Sequence, residues 1–87
     1  MSSEGTMRVR VLFFGRLREI AGKAEETVEL PVGSPIEDLF SAVAARQPAV
    51  AAFRSSLVAS RNLEFAPWTT RLQAGDEIAF LPPVSGG

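Results

Sequence analysis

Apolar side chains recur along this chain with two different periods, and each change of period marks an element. From Met7 to Phe14, Val9, Val11 and Phe13 alternate with Arg8, Arg10, Leu12 and Phe14. A period of two predicts a strand with one wholly apolar face. Its other face begins charged and turns apolar at Leu12 and Phe14, and Gly15 ends the run. Leu17, Ile20 and Ala21 stand at i, i+3 and i+4, the spacing of a short helical turn over Arg16–Ala21 that Gly22 stops. Glu25–Leu30 alternates again, with Val28 and Leu30 on one side and Thr27 and Glu29 on the other. Its charge predicts a solvated face or an edge strand. The clearest helix is Pro35–Arg46, where Ile36, Leu39, Phe40 and Val43 recur at i, i+3, i+4 and i+7 as one buried stripe. Ser34 reads as its N-cap, Pro35 as its first residue, and Glu37 as the partner that closes a Ser-x-x-Glu capping box. Glu37 and Asp38 also suit the positive end of the helix dipole. Pro48 ends this helix. Ala49–Ser56 is compatible with a short helix or a loop, and delivers Val50 and Phe53 to the core.

The second half is shorter in its rhythm. Leu57–Ser60 reads as a third strand, Arg61-Asn62 as a turn, and Leu63–Phe65 as a fourth, very short strand. Pro67–Thr70 is irregular, with Trp68 packed beneath it. Ala74-Gly75-Asp76 is a turn, and Glu77–Leu81 is the last strand, with Ile78 and Phe80 inward and Ala79 and Leu81 outward. One helix can cover one face of a small mixed sheet whose centre holds the two apolar-rich strands, the first and the last. The predicted fold is α+β: a β-grasp, or ubiquitin-like, roll. Residues 1–6, small and polar, are expected to be a disordered leader, residues 7–81 the domain, and residues 82–87 an extended tail.

That tail, Pro82-Pro83-Val84-Ser85-Gly86-Gly87, follows the last strand with no polar taper. Two prolines cannot donate backbone hydrogen bonds and hold φ near the extended region, so the sheet should stop near Leu81. Fully extended, six residues reach on the order of 20 Å. The diglycine tip fits a channel too narrow for side chains, and its reactive group is a terminal carboxylate. A frayed chain end is also rich in Gly and Ser. The direct succession of core strand, Pro-Pro, Val, Ser and diglycine argues against that plainer reading.

Composition changes the picture mainly by what is missing. The chain has no Cys and no His. Disulfides, thiolate nucleophiles, Cys-ligated zinc and every Ser-His or Cys-His arrangement are excluded. Among its 10 acidic residues only Glu25-Glu26, Glu37-Asp38 and Asp76-Glu77 are adjacent, and edge strand, helix start and turn account for them. No metal site and no bound cofactor are expected, and a partner must supply the catalytic groups. A net charge of −1 gives no basic surface for nucleic acid. No apolar run is long enough to span a membrane and no signal-peptide pattern opens the chain, so cytoplasmic residence is expected.

Two blocks resemble a known family. Val11-Leu12-Phe13-Phe14-Gly15-Arg16-Leu17-Arg18-Glu19 is similar to the first-strand signature of the small subunit of molybdopterin synthase. Gly75-Asp76-Glu77-Ile78-Ala79-Phe80-Leu81-Pro82-Pro83-Val84-Ser85-Gly86-Gly87 is similar to its C-terminal signature. The similarity runs from Met7 to Gly87. It implies a ubiquitin-like sulfur carrier. An ATP-using activating enzyme would adenylate the Gly87 carboxylate, and sulfur would then convert the acyl-adenylate to a thiocarboxylate. The tail would donate that sulfur to cyclic pyranopterin monophosphate in the active site of the large synthase subunit. ATP would thus be used by the activating enzyme and not bound by the carrier. The resemblance further implies a hetero-oligomer with the large subunit, a heterotetramer in this family. It makes Gly87 the acyl carrier, Gly86 its slim neighbour, and Pro82, Pro83, Val84 and Ser85 the threaded segment. Phe14, Phe65 and Leu81 fall where the family presents apolar side chains to the large subunit. Alternation independently puts Phe14 and Leu81 on the face opposite the helix. The catalytic lysines of such synthases belong to the large subunit, so Lys23 receives no role. Three other readings stay open. A thiamine-pathway sulfur carrier shares fold and chemistry, although such chains tend to be shorter and lack the Leu-Phe-Phe-Gly block. A ubiquitin-like modifier conjugated to protein lysines would use the same activated carboxylate. A β-grasp binding module would carry the diglycine incidentally.

Overall fold

The period-two segments join one five-stranded sheet in the computed structural model, which describes residues 5–82. The strands are β1 (Thr6–Phe13), β2 (Glu25–Pro31), β3 (Val58–Arg61), β4 (Glu64–Ala66) and β5 (Glu77–Leu81), in the order β2-β1-β5-β3-β4. β1 and β5 run parallel, with Val11 opposite Ile78 and Phe13 opposite Phe80. Parallel neighbours cannot be joined by a tight turn. The connection between them is most of the chain: α1 (Gly15–Ala21), α2 (Ile36–Arg46), α3 (Pro48–Ala51), a 3₁₀ turn at Arg54–Ser56, and the strands between. The remaining pairs are antiparallel, and the charged β2 is an edge strand as its composition predicts. A parallel central pair with a helix laid across the sheet is the β-grasp architecture.

Alternation decides which side chains reach the core. Met7, Val9, Val11 and Phe13 of β1 are buried, as are Val28 and Leu30 of β2 and Ile78 and Phe80 of β5. Against them α2 lays Ile36, Leu39, Phe40 and Val43, all buried. Phe40 meets the Phe80 ring edge-on at 5.2 Å and the Trp68 ring edge-on at 5.4 Å, while Trp68 stacks on Phe80 at 5.3 Å. Such pairs add roughly 0.5–1.5 kcal/mol each beyond the area they bury. Trp68 therefore pins the irregular segment after β4 onto the sheet and helix, as its sequence position suggests. Val50 is fully buried and Phe53 packs against the core. Gly22 ends α1 in the left-handed conformation, φ 75°, its N–H donating to the Arg18 carbonyl at 2.9 Å.

Several boundaries differ from the sequence reading. β1 begins at Thr6 and the Gly5 carbonyl accepts from Val32 N–H at 2.9 Å, so Gly5 and Thr6 belong to the fold and not to a leader. The third and fourth strands are shifted by one residue. Arg61 pairs with Glu64, which leaves Asn62 and Leu63 as the two-residue turn. Leu63 is thus a turn residue and not the start of a strand. Leu57 is buried ahead of β3. The expected tail residues Pro83, Val84, Ser85, Gly86 and Gly87 lie outside the described residues, as do the first four of the expected leader. Among the described residues no helix is long and apolar enough to cross a membrane.

The capping box is not formed. Pro35, at φ −80° and ψ 167°, is the N-cap of α2, and no side chain caps the helix. The Ser34 hydroxyl instead donates to the Pro31 carbonyl at 2.7 Å and closes the turn between β2 and α2. The free N–H groups of the first helical turn find backbone acceptors far along the chain. Ile36 N–H donates to the Thr70 carbonyl at 2.9 Å and Glu37 N–H to the Trp68 carbonyl at 3.0 Å. The segment held down by the Trp68 ring is thus also the cap of the main helix. Removing the Ser34 hydroxyl would take one of two donors from the Pro31 carbonyl, which keeps the Ser34 N–H at 3.1 Å, and would cost the helix amides nothing.

Candidate functional site

Register across four strands builds one face of the sheet opposite α2. Leu12 pairs with Ala79, Ala79 with Ser60, and Ser60 with Phe65, so these four side chains form a row from β1 to β4. Leu81, paired with Val58, lies in the neighbouring row, and Phe14 stands at the end of β1. Toward the other end of the face, Arg10 makes ion pairs with Glu25 and Glu77, each at 3.2 Å. Exposed pairs of this kind contribute little to stability; they set a polar border to an apolar surface. Phe14 is 45% exposed, Phe65 76% and Leu63 87%. With Leu12, Ala79 and the half-buried Leu81 they line a shallow hollow of about 240 Å³. These side chains form one contiguous apolar patch with charge at its border.

A second, larger groove of about 750 Å³ adjoins it, lined by Val58, Ala66, Pro67, Trp68 and Pro82. Phe65 and Leu81 contribute to both hollows and form the ridge between them. The Arg54 guanidinium sits 3.5 Å over the centre of a Trp68 ring, both half-buried, a cation–π attraction. The chain leaves the sheet here, at the exposed Pro82. Of the residues singled out in the sequence, Phe14, Phe65 and Leu81 are therefore gathered on one face, and Pro82 lies at the edge of that face. The remaining tail positions fall outside the described residues. Among its polar groups the apolar face offers the Ser60 hydroxyl and the ion-paired Glu77 carboxylate.

Sequence reasoning missed Asp76, read as an ordinary turn residue. Its side chain is 7% exposed. One carboxylate oxygen accepts from Arg61 Nε at 2.7 Å and from Gln73 N–H at 2.8 Å, and the other from Asn62 Nδ2 at 3.1 Å. Asn62 Oδ1 in turn accepts from Glu77 N–H at 2.9 Å. The network ties the β3–β4 turn to the start of β5, and so fixes the hairpin that carries Leu63 and Phe65. The Asp that follows Gly75 was the available signal; its partners at the end of β3 and in the turn after it were not visible from a local pattern. Burial pushes the Asp76 carboxyl up. Its bonds from Arg61, Gln73 and Asn62, and the Arg61 charge, outweigh that and hold it below the usual carboxylate range. A depressed folded-state value stabilises the protein above the ordinary carboxylate pKa, and that stability is lost as pH falls through the lowered value. Denaturant midpoints measured down a pH series should fall below about pH 4. Asp76→Asn should cost about 1–3 kcal/mol at neutral pH and show a shallower fall in acid. An identical acid slope in the variant would remove Asp76 from this account.

A family model described as the ThiS family matches residues 11–87. The chain belongs to the ThiS family. It is 39% identical to the molybdopterin synthase sulfur carrier subunit of Chlamydomonas reinhardtii over 83 residues, covering 93% of this chain and 100% of that one. Among solved structures, this ThiS-family chain superposes on SAMP1 from Haloferax volcanii with a TM-score of 0.81 at 29% identity, covering 92% of this chain and 99% of that one. It also matches a chain of the protein–protein complex of subunits 1 and 2 of the molybdopterin-converting factor from Helicobacter pylori. There the TM-score is 0.63 at 27% identity, covering 93% of this chain and 100% of that one.

Proposed function

We propose that this ThiS-family chain is a sulfur carrier of molybdopterin synthesis, the non-catalytic small subunit of a synthase. Its Gly87 carboxylate attacks the α-phosphate of ATP on an activating enzyme, and pyrophosphate leaves. A sulfide equivalent displaces AMP from the acyl-adenylate to give the thiocarboxylate. The tail then enters the large subunit and its sulfur bonds to cyclic pyranopterin monophosphate; water cleaves the acyl–sulfur bond, so that the sulfur stays on the pterin and the carrier returns as a carboxylate. ATP is consumed by the activating enzyme, so the carrier needs no cofactor of its own. The assembly is a heterotetramer with the large subunit, in the cytoplasm where ATP recharges it.

The observation that carries this reading is the continuity of the apolar face with the root of the tail, since Leu81 belongs to the face and Pro82 begins the exit. A chain without Cys or His cannot activate its own carboxylate, which agrees with a substrate-like carrier served by partners. Incubation with activating enzyme, ATP and a sulfur source should add the mass of one oxygen-to-sulfur exchange, located in the last residue by fragmentation. An unchanged mass under conditions that load a related carrier would reject the proposal. The likeness to SAMP1 favours a second reading, attachment of the same activated carboxylate to protein lysines. Isopeptide-linked products in the same incubation would identify it.

A further inference from the structure

The β3–β4 turn holds a residue it should not prefer. Asn62 and Leu63 have φ of 51° and 75°, and they are the positive-φ residues other than glycine among those described. Two left-handed residues in a two-residue loop are the type I′ pattern, which favours Asn followed by Gly. Asn62 suits its place, because its short amide tolerates this conformation and bonds locally. Leu63 does not. Its Cβ meets the steric cost that glycine avoids, and its side chain is 87% exposed, so its own fold gains little from it.

The turn is nevertheless held firmly. Asn62 N–H donates to the Glu77 carbonyl at 2.8 Å, its side chain bridges Asp76 and Glu77 N–H, and Arg61 fixes Asp76 from the preceding residue. Leu63 stands on the rim of the same hollow that Phe14 and Phe65 line.

We infer that Leu63 is a further anchor of the docking face, held out by a strained and buttressed turn to enter an apolar recess on the partner that receives the tail. The inference rests on the docking reading of this face and names the large subunit as the occupant, because Leu63 is continuous with Phe14, Phe65 and the Leu81 ridge that leads to Pro82. An ordinary exposed leucine is the competing account, since solitary surface apolar residues are common.

The two accounts separate in one pair of measurements. Leu63→Gly and Leu63→Asn both suit the left-handed turn, so the full-length variants should fold. Their melting temperatures should equal or exceed that of the wild type. Titration with the large subunit should show the dissociation constant raised about tenfold or more. Wild-type affinity in both, alongside lost binding by Phe14→Asp, would overturn the inference and leave the docking reading intact. Wild-type affinity in all three would remove the docking reading and the inference with it. A marked fall in melting temperature would show that the fold itself needs Leu63, and would also overturn the inference.

Discussion

Deletion of Gly87 is expected to abolish sulfur loading and molybdopterin synthesis while leaving the melting temperature unchanged. Chemistry and packing both argue for this outcome. The last fully buried side chain of β5 is Phe80, and Leu81 is half-buried. Among the described residues the buried core is drawn from positions no later than Phe80, so loss of Gly87 is expected to leave folding undisturbed. The chemistry has no such tolerance. A chain ending at Gly86 still bears a carboxylate, but that group is drawn back by one residue, roughly 3.3–3.6 Å when extended. Reactions that rely on positioning lose about a hundredfold for misplacement of about 1 Å. Extending the chain by one residue should fail for a related reason, because Gly87 would then be an amide and not a free acid. The measurement is intact mass after incubation with activating enzyme, ATP and sulfur source, followed by synthase turnover. Full turnover by the truncated carrier would end the sulfur-carrier proposal.

How much of this was legible in the sequence depends on how far each interaction reaches along the chain. The alternation Val9-Val11-Phe13 and the stripe Ile36-Leu39-Phe40-Val43 are local, and both give the buried faces observed. Placing β1 beside β5 needed only that both are apolar-rich, as central strands tend to be. The start of α2 was misread because Ser-x-x-Glu is a valid local signature. It lost to carbonyls of Trp68 and Thr70 that arrive from about thirty residues away, brought there by the packing of an aromatic ring. Asp76 was undervalued for the same reason: Arg61 lies on another strand and Asn62 in the turn that follows it. The β3–β4 turn was placed one residue early because its second residue is Leu where a glycine would have announced it. On the candidate site, alternation put Phe14 and Leu81 on the outer face, whereas Phe65 came only from family resemblance. The pairing of Ser60 with Phe65 is what brings Phe65 beside them.

Phe14→Asp is expected to weaken association with the large subunit by about thirtyfold or more while leaving the carrier folded. The Phe14 side chain is nearly half exposed and stands at the N-cap of α1, where its backbone carbonyl accepts from Leu17 N–H at 3.1 Å. The helix uses that residue's main chain and not its ring. Aspartate is moreover a favoured N-cap residue, so the substitution supplies a carboxylate where α1 has no side-chain cap. Binding should respond in the opposite sense. Burying a phenylalanine or leucine contributes roughly 1.5–3 kcal/mol, and forcing a carboxylate into the same apolar contact adds a desolvation cost. Loss of about 2 kcal/mol already corresponds to about thirtyfold. Leu81→Asp should act in the same direction, with some loss of stability because Leu81 is half-buried beside Val58. Since the face and the tail root adjoin, a partner that takes the tail must cover part of this face. The activating enzyme and the large subunit should therefore compete for one carrier. A titration of carrier with both proteins reads this directly. A ternary complex, or undiminished binding of the large subunit by both variants, would place the docking surface elsewhere on the molecule. Loss of binding in both, with α1 intact by circular dichroism, would make the face and the tail a single docking element.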